Sequence, residues 1–324
     1  MQPVDPATVL FDGPWRHRDV SANGIRLHLA EAGSGPLVLL LHGFAGFWWT
    51  WHRWLPDIAA AGYRAVAVDL RGYGYSDKPP RGYDGWTLAG DISGLIRALG
   101  ERRAHLVGHD WGGILAWTAA TLHPRIAASV TTLGAAHPLA LRARIARTVL
   151  RPRERNQAHA AAELFRSQPP LLPERRLRRR HAQYVERLMI RWAGPGWPDN
   201  PADPSNGADA ATLARHRQAM SIRAVPHSAS EYHRWAVRAQ LRGDGTRFAR
   251  ALATPVRVPV LQLRGAHDRC VLPDTLCESS RWAAGRTVTH TVPSVGHLPQ
   301  LEAPEITVRT VIDFIAAVPP RPVS

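Results

Sequence analysis

Three features of this 324-residue chain predict an α/β fold: a mostly parallel central sheet with helices on both faces and an inserted helical lid. Short apolar runs alternate with helix-like segments from Arg16 to Leu133, the pattern of a parallel sheet covered on both sides. The strand signal then gives way to alanine- and arginine-rich helical stretches, and it resumes at Val258–Leu263. In order, Ile25–Ala30 and Leu37–Leu41 read as strands, Trp51–Ala61 as a helix, Ala65–Leu70 as a strand and Thr87–Leu99 as a helix. Ala104–Gly108 is a strand, Gly113–Leu122 a helix closed by His123-Pro124, and Ala128–Leu133 a further strand. Val288–Val292 and a final helix around Glu305–Ala316 complete the pattern. The expected division is a core of residues 1–138 and 251–324, with a helical lid at 139–250 that is broken by prolines and by a loop from Gly194 to Gly207. A lid placed there covers the carboxyl ends of the strands, where open α/β sheets bind ligands.

Composition narrows the function classes. Hydrophobic residues make up 45% and charged residues 21%, the usage of a folded globular protein. The longest aliphatic run, Leu37–Leu41, is too short to cross a bilayer, and the first five residues lack an export signature, so a cytoplasmic protein is expected. Cys270 and Cys277 suit a reduced compartment. The sixteen histidines are scattered, and the pair His105 and His109 lies on a strand, where four-residue spacing builds no ligand face; no metal or other cofactor is expected. Net charge is +15, and Lys78 is the sole lysine. Between Leu139 and Arg250 there are 22 arginines against nine acids, so most of the excess sits in the lid. Clusters such as Arg175-Arg176 and Arg178-Arg179-Arg180 lack aromatic interleaving, and they are read as a solvated basic face rather than a nucleic-acid or membrane site.

The chemistry concentrates at Gly108-His109-Asp110-Trp111-Gly112-Gly113, where a strand runs into a turn and a helix. Small residues flanking the central position allow the sharp bend of a nucleophile elbow. Its middle residue is Asp110. A carboxylate attacks saturated carbon bearing a leaving group and forms an alkyl ester, whereas serine attacks carbonyls. The bland alternative is an aspartate that caps the following helix. Asp268, just past the strand Val260–Gly265, and His297, in the loop Ser294-Val295-Gly296-His297, follow in the order nucleophile, acid, base. His297 is expected to be the general base and Asp268 its orienting partner. Leu41-His42-Gly43-Phe44 ends a strand where the backbone N–H of Phe44 can pair with that of Trp111 as an oxyanion site. The glycine-rich run Asp69–Asp77 reads as a structural loop rather than a phosphate cradle.

These motifs, in this order, resemble the α/β-hydrolase superfamily and in particular its epoxide hydrolase branch, over nearly the whole chain. The resemblance implies that Asp110 opens the epoxide, that His297 with Asp268 activates water, and that lid tyrosines protonate the oxirane oxygen. Tyr232, in Ser230-Glu231-Tyr232-His233-Arg234-Trp235, matches the second such tyrosine. No tyrosine lies near Phe165-Arg166-Ser167-Gln168-Pro169, where the first belongs, and Tyr184 reads as a packing residue. Ala45 stands where the family commonly has proline. A small apolar epoxide and water are the implied substrates, and homo-oligomerisation is left open. Two alternatives remain: a haloalkane dehalogenase-like hydrolase, or a catalytically silent binder of apolar ligands. The cluster Trp48, Trp49, Trp51 and Trp54 suits core packing first and a pocket wall second.

Overall fold

The structure, a computed structural model, describes residues 4–151, 156–198 and 206–319. Residues 199–205 of the loop expected at Gly194–Gly207, and the first three residues of the amino terminus, lie outside them. The strands are β1 Arg16–Ala22, β2 Ile25–Ala32, β3 Leu37–Leu41, β4 Arg64–Val68, β5 Ala104–His109, β6 Ala127–Leu133, β7 Val260–Gly265 and β8 Thr287–Val292. They form one eight-stranded sheet in the order β1-β2-β4-β3-β5-β6-β7-β8. β2 pairs antiparallel with β1 and β4, and every later pairing is parallel. β3 and β5 are buried along their full length, as central strands must be when helices cover both sheet faces. The helix Trp111–Leu122 packs on β3, β5 and β6, while the helices Trp54–Ala60 and Pro304–Ala316 pack on each other.

β1 is the strand that the apolar pattern does not reveal. It is an edge strand whose Arg16, Arg18, Asp19 and Ser21 are exposed, so polarity hides it and its charges also discourage pairing with another chain. Its register sets Arg16 opposite Glu31, and the Arg16 Nε to Glu31 Oε1 distance is 2.9 Å.

The order in which strands are added reverses at β3, which has β4 on one side and β5 on the other, both parallel to it. Such a switch point opens a crevice at the carboxyl ends of the strands. Leu41 is in register with Gly108, so the segment after β3 and the turn after β5 meet there. The Asp69–Asp77 loop is held as a structural element. Asp69 is buried, and its carboxylate accepts the N–H groups of Trp48 and Tyr75, each at 2.8 Å, and a contact from His28 at the same distance. Arg71 forms a bidentate pair with Asp91 at 2.6 and 2.7 Å, with both side chains buried. Removing one member of such a pair strands a buried charge, so Asp91→Ala is expected to cost about 3–5 kcal/mol, read from the denaturant midpoint.

Between β6 and β7 the elements among the described residues are helices, from Pro138–Thr148 to Gly243–Leu252. Part of the arginine load there is structural. Arg166 and Arg176 pair with Glu163, Arg217 with Glu186, and Arg144 and Arg147 reach across to Asp274 and Glu278. The tryptophans Trp48, Trp51, Trp54 and Trp117 are fully buried core residues. No helix among the described residues is long and apolar enough to cross a membrane.

Candidate active site

Asp110 sits at the bend between β5 and the helix Trp111–Leu122 with φ 48° and ψ −116°. A non-glycine residue held there costs of order 1–3 kcal/mol and persists only where the surroundings impose it. They do so here: Asp110 N–H donates to the Leu133 carbonyl at 3.1 Å, and its own carbonyl accepts from Ile114 N–H at 3.0 Å. Gly112 is required by the same bend, because a Cβ at that position would lie 2.0 Å from the Leu41 carbonyl oxygen. Asp110 occupies the N-cap position, yet its side chain makes no capping hydrogen bond. The carboxylate is instead held by the Phe44 N–H, which donates to Oδ2 at 2.8 Å. The other oxygen, Oδ1, lies 3.8 Å from His297 Nε2.

Burial works against the charge on Asp110, but contact with His297, the nearby His109 and the Phe44 N–H outweigh it and pull the pKa down to about 2. The amino end of the helix behind it favours the anion as well. Trp111 is the first helical residue, so its N–H belongs to the unpaired amides of the first turn.

His297 and Asp268 meet as the chain order suggests. His297 Nδ1 is 3.1 Å from both oxygens of Asp268. Asp268 Oδ1 also accepts the N–H groups of Cys270 and Val271, at 2.7 and 3.0 Å. Burial alone would lower the His297 pKa, but Cys270, Asp268 and Asp110 more than compensate and raise it well above the ordinary imidazole value. Its Nε2 is buried without a hydrogen-bond partner, and it acts as a proton acceptor only once the ring has become neutral. Gly134, at φ 54°, lies beneath the ring, where a Cβ would come within 2.8 Å of Nδ1.

The backbone of His297 is fixed by residues that no local pattern exposes. Its carbonyl is 2.8 Å from His109 Nε2, and its N–H donates to the Trp192 carbonyl at 2.8 Å. Glu302 accepts three backbone N–H groups, from Gly194, Gly296 and Leu298. His105, the other member of the spaced pair, is 2.8 Å from Ser129 Oγ and takes no part in the site.

These groups open onto a cavity of about 430 Å³ whose lining includes Phe44, Asp110, Trp111, Trp192, His233 and His297, with apolar side chains of the helical segment beyond. Tyr232 is the sequence-predicted residue that the structure does not bring there. It is fully buried, it is absent from the cavity lining, and its hydroxyl donates to the Arg71 carbonyl at 2.8 Å. The neighbouring residue faces the cavity instead. Consecutive helical residues are about 100° apart, so on the helix Val225–Arg238 a step of one position exchanges the two environments. His233 packs its ring 4.5 Å from that of Phe44 and 5.4 Å from that of Trp111. Its Nδ1 is 3.0 Å from Ser167 Oγ. Burial lowers its pKa to about 4, so the ring is neutral near pH 7. Tyr184 donates its hydroxyl to Glu163 Oε1 at 2.7 Å, and Ala45 takes φ 60°.

A family model described as the alpha/beta hydrolase fold matches residues 36–304. Epoxide hydrolase 3 of Siraitia grosvenorii is 46% identical over 110 residues, 33% of this chain and 35% of that protein, so the match spans about a third of that relative. Epoxide hydrolase 3 of Xenopus tropicalis is 30% identical over 297 residues, 90% of this chain and 75% of the relative. Among solved structures, epoxide hydrolase A of Mycobacterium thermoresistibile superposes with a TM-score of 0.76 at 25% identity, covering 94% of this chain and 99% of that one.

Proposed function

The chain belongs to the α/β-hydrolase fold family, in its epoxide hydrolase branch, and from that premise we propose that it hydrolyses small apolar epoxides to vicinal diols through a covalent ester on Asp110. The observation that carries this reading is the double arrangement around Asp110: one carboxylate oxygen held by the Phe44 N–H, the other beside the unpartnered Nε2 of His297. The segment 139–250 acts as a cap that closes the cavity over this pair. Cytoplasmic residence belongs to the same reading, since Cys270 and Cys277 are free thiols.

In the first step Asp110 Oδ1 attacks an epoxide carbon, the C–O bond breaks toward oxygen, and an alkyl ester and an alkoxide form. In the second, His297 takes a proton from water as that water attacks the ester carbonyl carbon, and Asp268 holds the resulting imidazolium. The tetrahedral oxyanion develops on Oδ2, where the Phe44 N–H already donates and the Trp111 N–H stands at the helix end. Collapse releases the diol and restores Asp110 with one oxygen from water. As the Cγ–Oδ1 bond breaks, His297 gives its proton to that leaving oxygen, and the second proton of the water, released as the Asp110 carboxylate re-forms, balances the one that the alkoxide acquires.

His233 is the cap group assigned to the leaving oxygen. The Ser167 hydroxyl donates to the Glu163 carbonyl at 2.8 Å, and that carbonyl also accepts the Ser167 N–H at 3.1 Å. Turning the hydroxyl to His233 Nδ1, 3.0 Å away, leaves the carbonyl satisfied and moves the ring proton to Nε2, the tautomer this role requires. A neutral imidazole N–H of this kind polarises a developing alkoxide without first becoming charged. His233→Phe is expected to lower the rate of ester formation by about 10- to 100-fold. Tyr232→Phe removes only the bond to Arg71, costing about 1 kcal/mol of stability with little effect on that rate. Stopped-flow ester formation and denaturant melts on both variants check this. A larger kinetic loss in Tyr232→Phe would return the acid role to the tyrosine.

The deciding experiment for the whole scheme is a single turnover in heavy-oxygen water. The first diol must carry oxygen from Asp110, and label from solvent in that first product would reject the covalent route. A dehalogenase reading draws support from Trp111 and Trp192, two indoles in the cavity lining that suit a departing halide. Halide release from brominated alkanes without diol from epoxides would favour it.

A further inference from the structure

Two residues beyond Asp268 the chain carries Cys270, which has no part in the reaction above. One oxygen of Asp268, the Cys270 sulfur and one ring nitrogen of His297 all lie within 4.8 Å of one another. Cys270 and His297 both line the cavity, so a small ion reaches the set by the same opening as substrate. His297 Nδ1, the ring nitrogen on the Asp268 side, is 3.1 Å from both oxygens of that carboxylate, so two of the three donors are already adjacent. Asp268 is anchored by the turn itself through the N–H groups of Cys270 and Val271, and His297 by its bonds to Asp268 and Trp192. The Cys270 side chain is the donor left to adjust.

The chemistry of the donor set selects the ion. Thiolate, imidazole and carboxylate together match Zn²⁺ and its softer relatives, which take sulfur, nitrogen and oxygen at about 2.0–2.3 Å in a tetrahedron with room for a water as fourth ligand. Ligand atoms in such a tetrahedron are roughly 3.3–3.8 Å apart, so the set has to close by about 1 Å, within the range of a cysteine rotamer change. Calcium and magnesium are disfavoured, because they require six or more oxygen ligands and the set offers one carboxylate.

We propose that Asp268, Cys270 and His297 form an inhibitory site for a thiophilic divalent cation of the zinc and cadmium class. On binding, the Cys270 thiol and the coordinating ring nitrogen of His297 each give up a proton to solvent, the sulfur and that nitrogen bond to the metal, and no electron is transferred. His297 becomes a ligand and can no longer serve as base, so turnover stops. Only this last consequence rests on the proposed hydrolysis.

The test titrates the purified full chain with cadmium chloride and follows both the ultraviolet cadmium–thiolate absorption and epoxide turnover, each variant being scaled to its own metal-free rate. One cadmium per chain is expected to saturate the absorption as activity disappears. Cys270→Ser should weaken the binding and the inhibition by about 10- to 100-fold, and His297→Gln should weaken the binding similarly, whereas Cys277→Ser should bind and be inhibited like the parent. Absorption that survives Cys270→Ser but vanishes in Cys277→Ser overturns the site, as does saturation of the parent with full activity. If no epoxide is turned over, the absorption pattern across the variants still decides the metal site, so the two readings fail separately.

Discussion

Asp110→Ala is expected to reduce turnover by about 10⁴-fold or more, because it removes the group that forms the bond to substrate and leaves only binding and the oxyanion donors. Steady-state diol formation measures the loss, and retained turnover near the parent rate would refute the nucleophile assignment. The same position offers a stability test that does not depend on chemistry. Alanine at φ 48° and ψ −116° keeps the backbone strain, whereas glycine relieves it. Asp110→Gly is therefore expected to be more stable than Asp110→Ala by about 1 kcal/mol, although glycine normally weakens a helix start. The pair of variants separates the cost of the bend from the role of the carboxylate.

His297→Gln should divide the reaction at its midpoint. Asp110 remains, so epoxide is still opened, but the ester has no base to activate water. Turnover falls by about 10³-fold or more, and the intact protein gains the mass of one substrate molecule. A variant that is inactive and never gains that mass would show that His297 acts before the ester forms. The pH profile of the parent enzyme follows from the same residue. General-base action needs the neutral ring, and the surrounding Cys270, Asp268 and Asp110 hold the charged form to higher pH than usual despite burial. Activity is therefore lost as pH falls through a midpoint above the ordinary imidazole value. Asp110, with its pKa near 2, stays ionised across that window and contributes nothing to the fall.

Much of the core was legible because its information is local. An aliphatic run such as Leu37–Leu41 is a buried strand wherever it sits in a covered sheet, and glycine on both sides of His109-Asp110-Trp111 permits a bend that few other sequences tolerate. The order Asp110, Asp268, His297 also survives reading from the chain, since each residue follows a recognisable strand. Edge strand β1 escaped the apolar pattern because solvation, not burial, shapes it. The basic character of the 139–250 segment was plain from composition, but composition did not tell which arginines would be neutralised, as Arg144 and Arg147 are by acids more than a hundred residues away.

The sequence by itself determined that a carboxylate would stand at a sharp turn after a central strand, with an acid and an imidazole arriving from later strands. Only the tertiary structure decided what faces that carboxylate. Whether Tyr232 or His233 points at Asp110 depends on the rotation of one helix about its axis. That rotation is set by contacts from Tyr232 to Arg71 and from Ser228 to Tyr83, which join residues 161 and 145 positions apart. The approach of Cys270 and Trp192 to His297 has the same origin. Periodicity specifies which residues share a face, and long-range packing chooses where that face is turned.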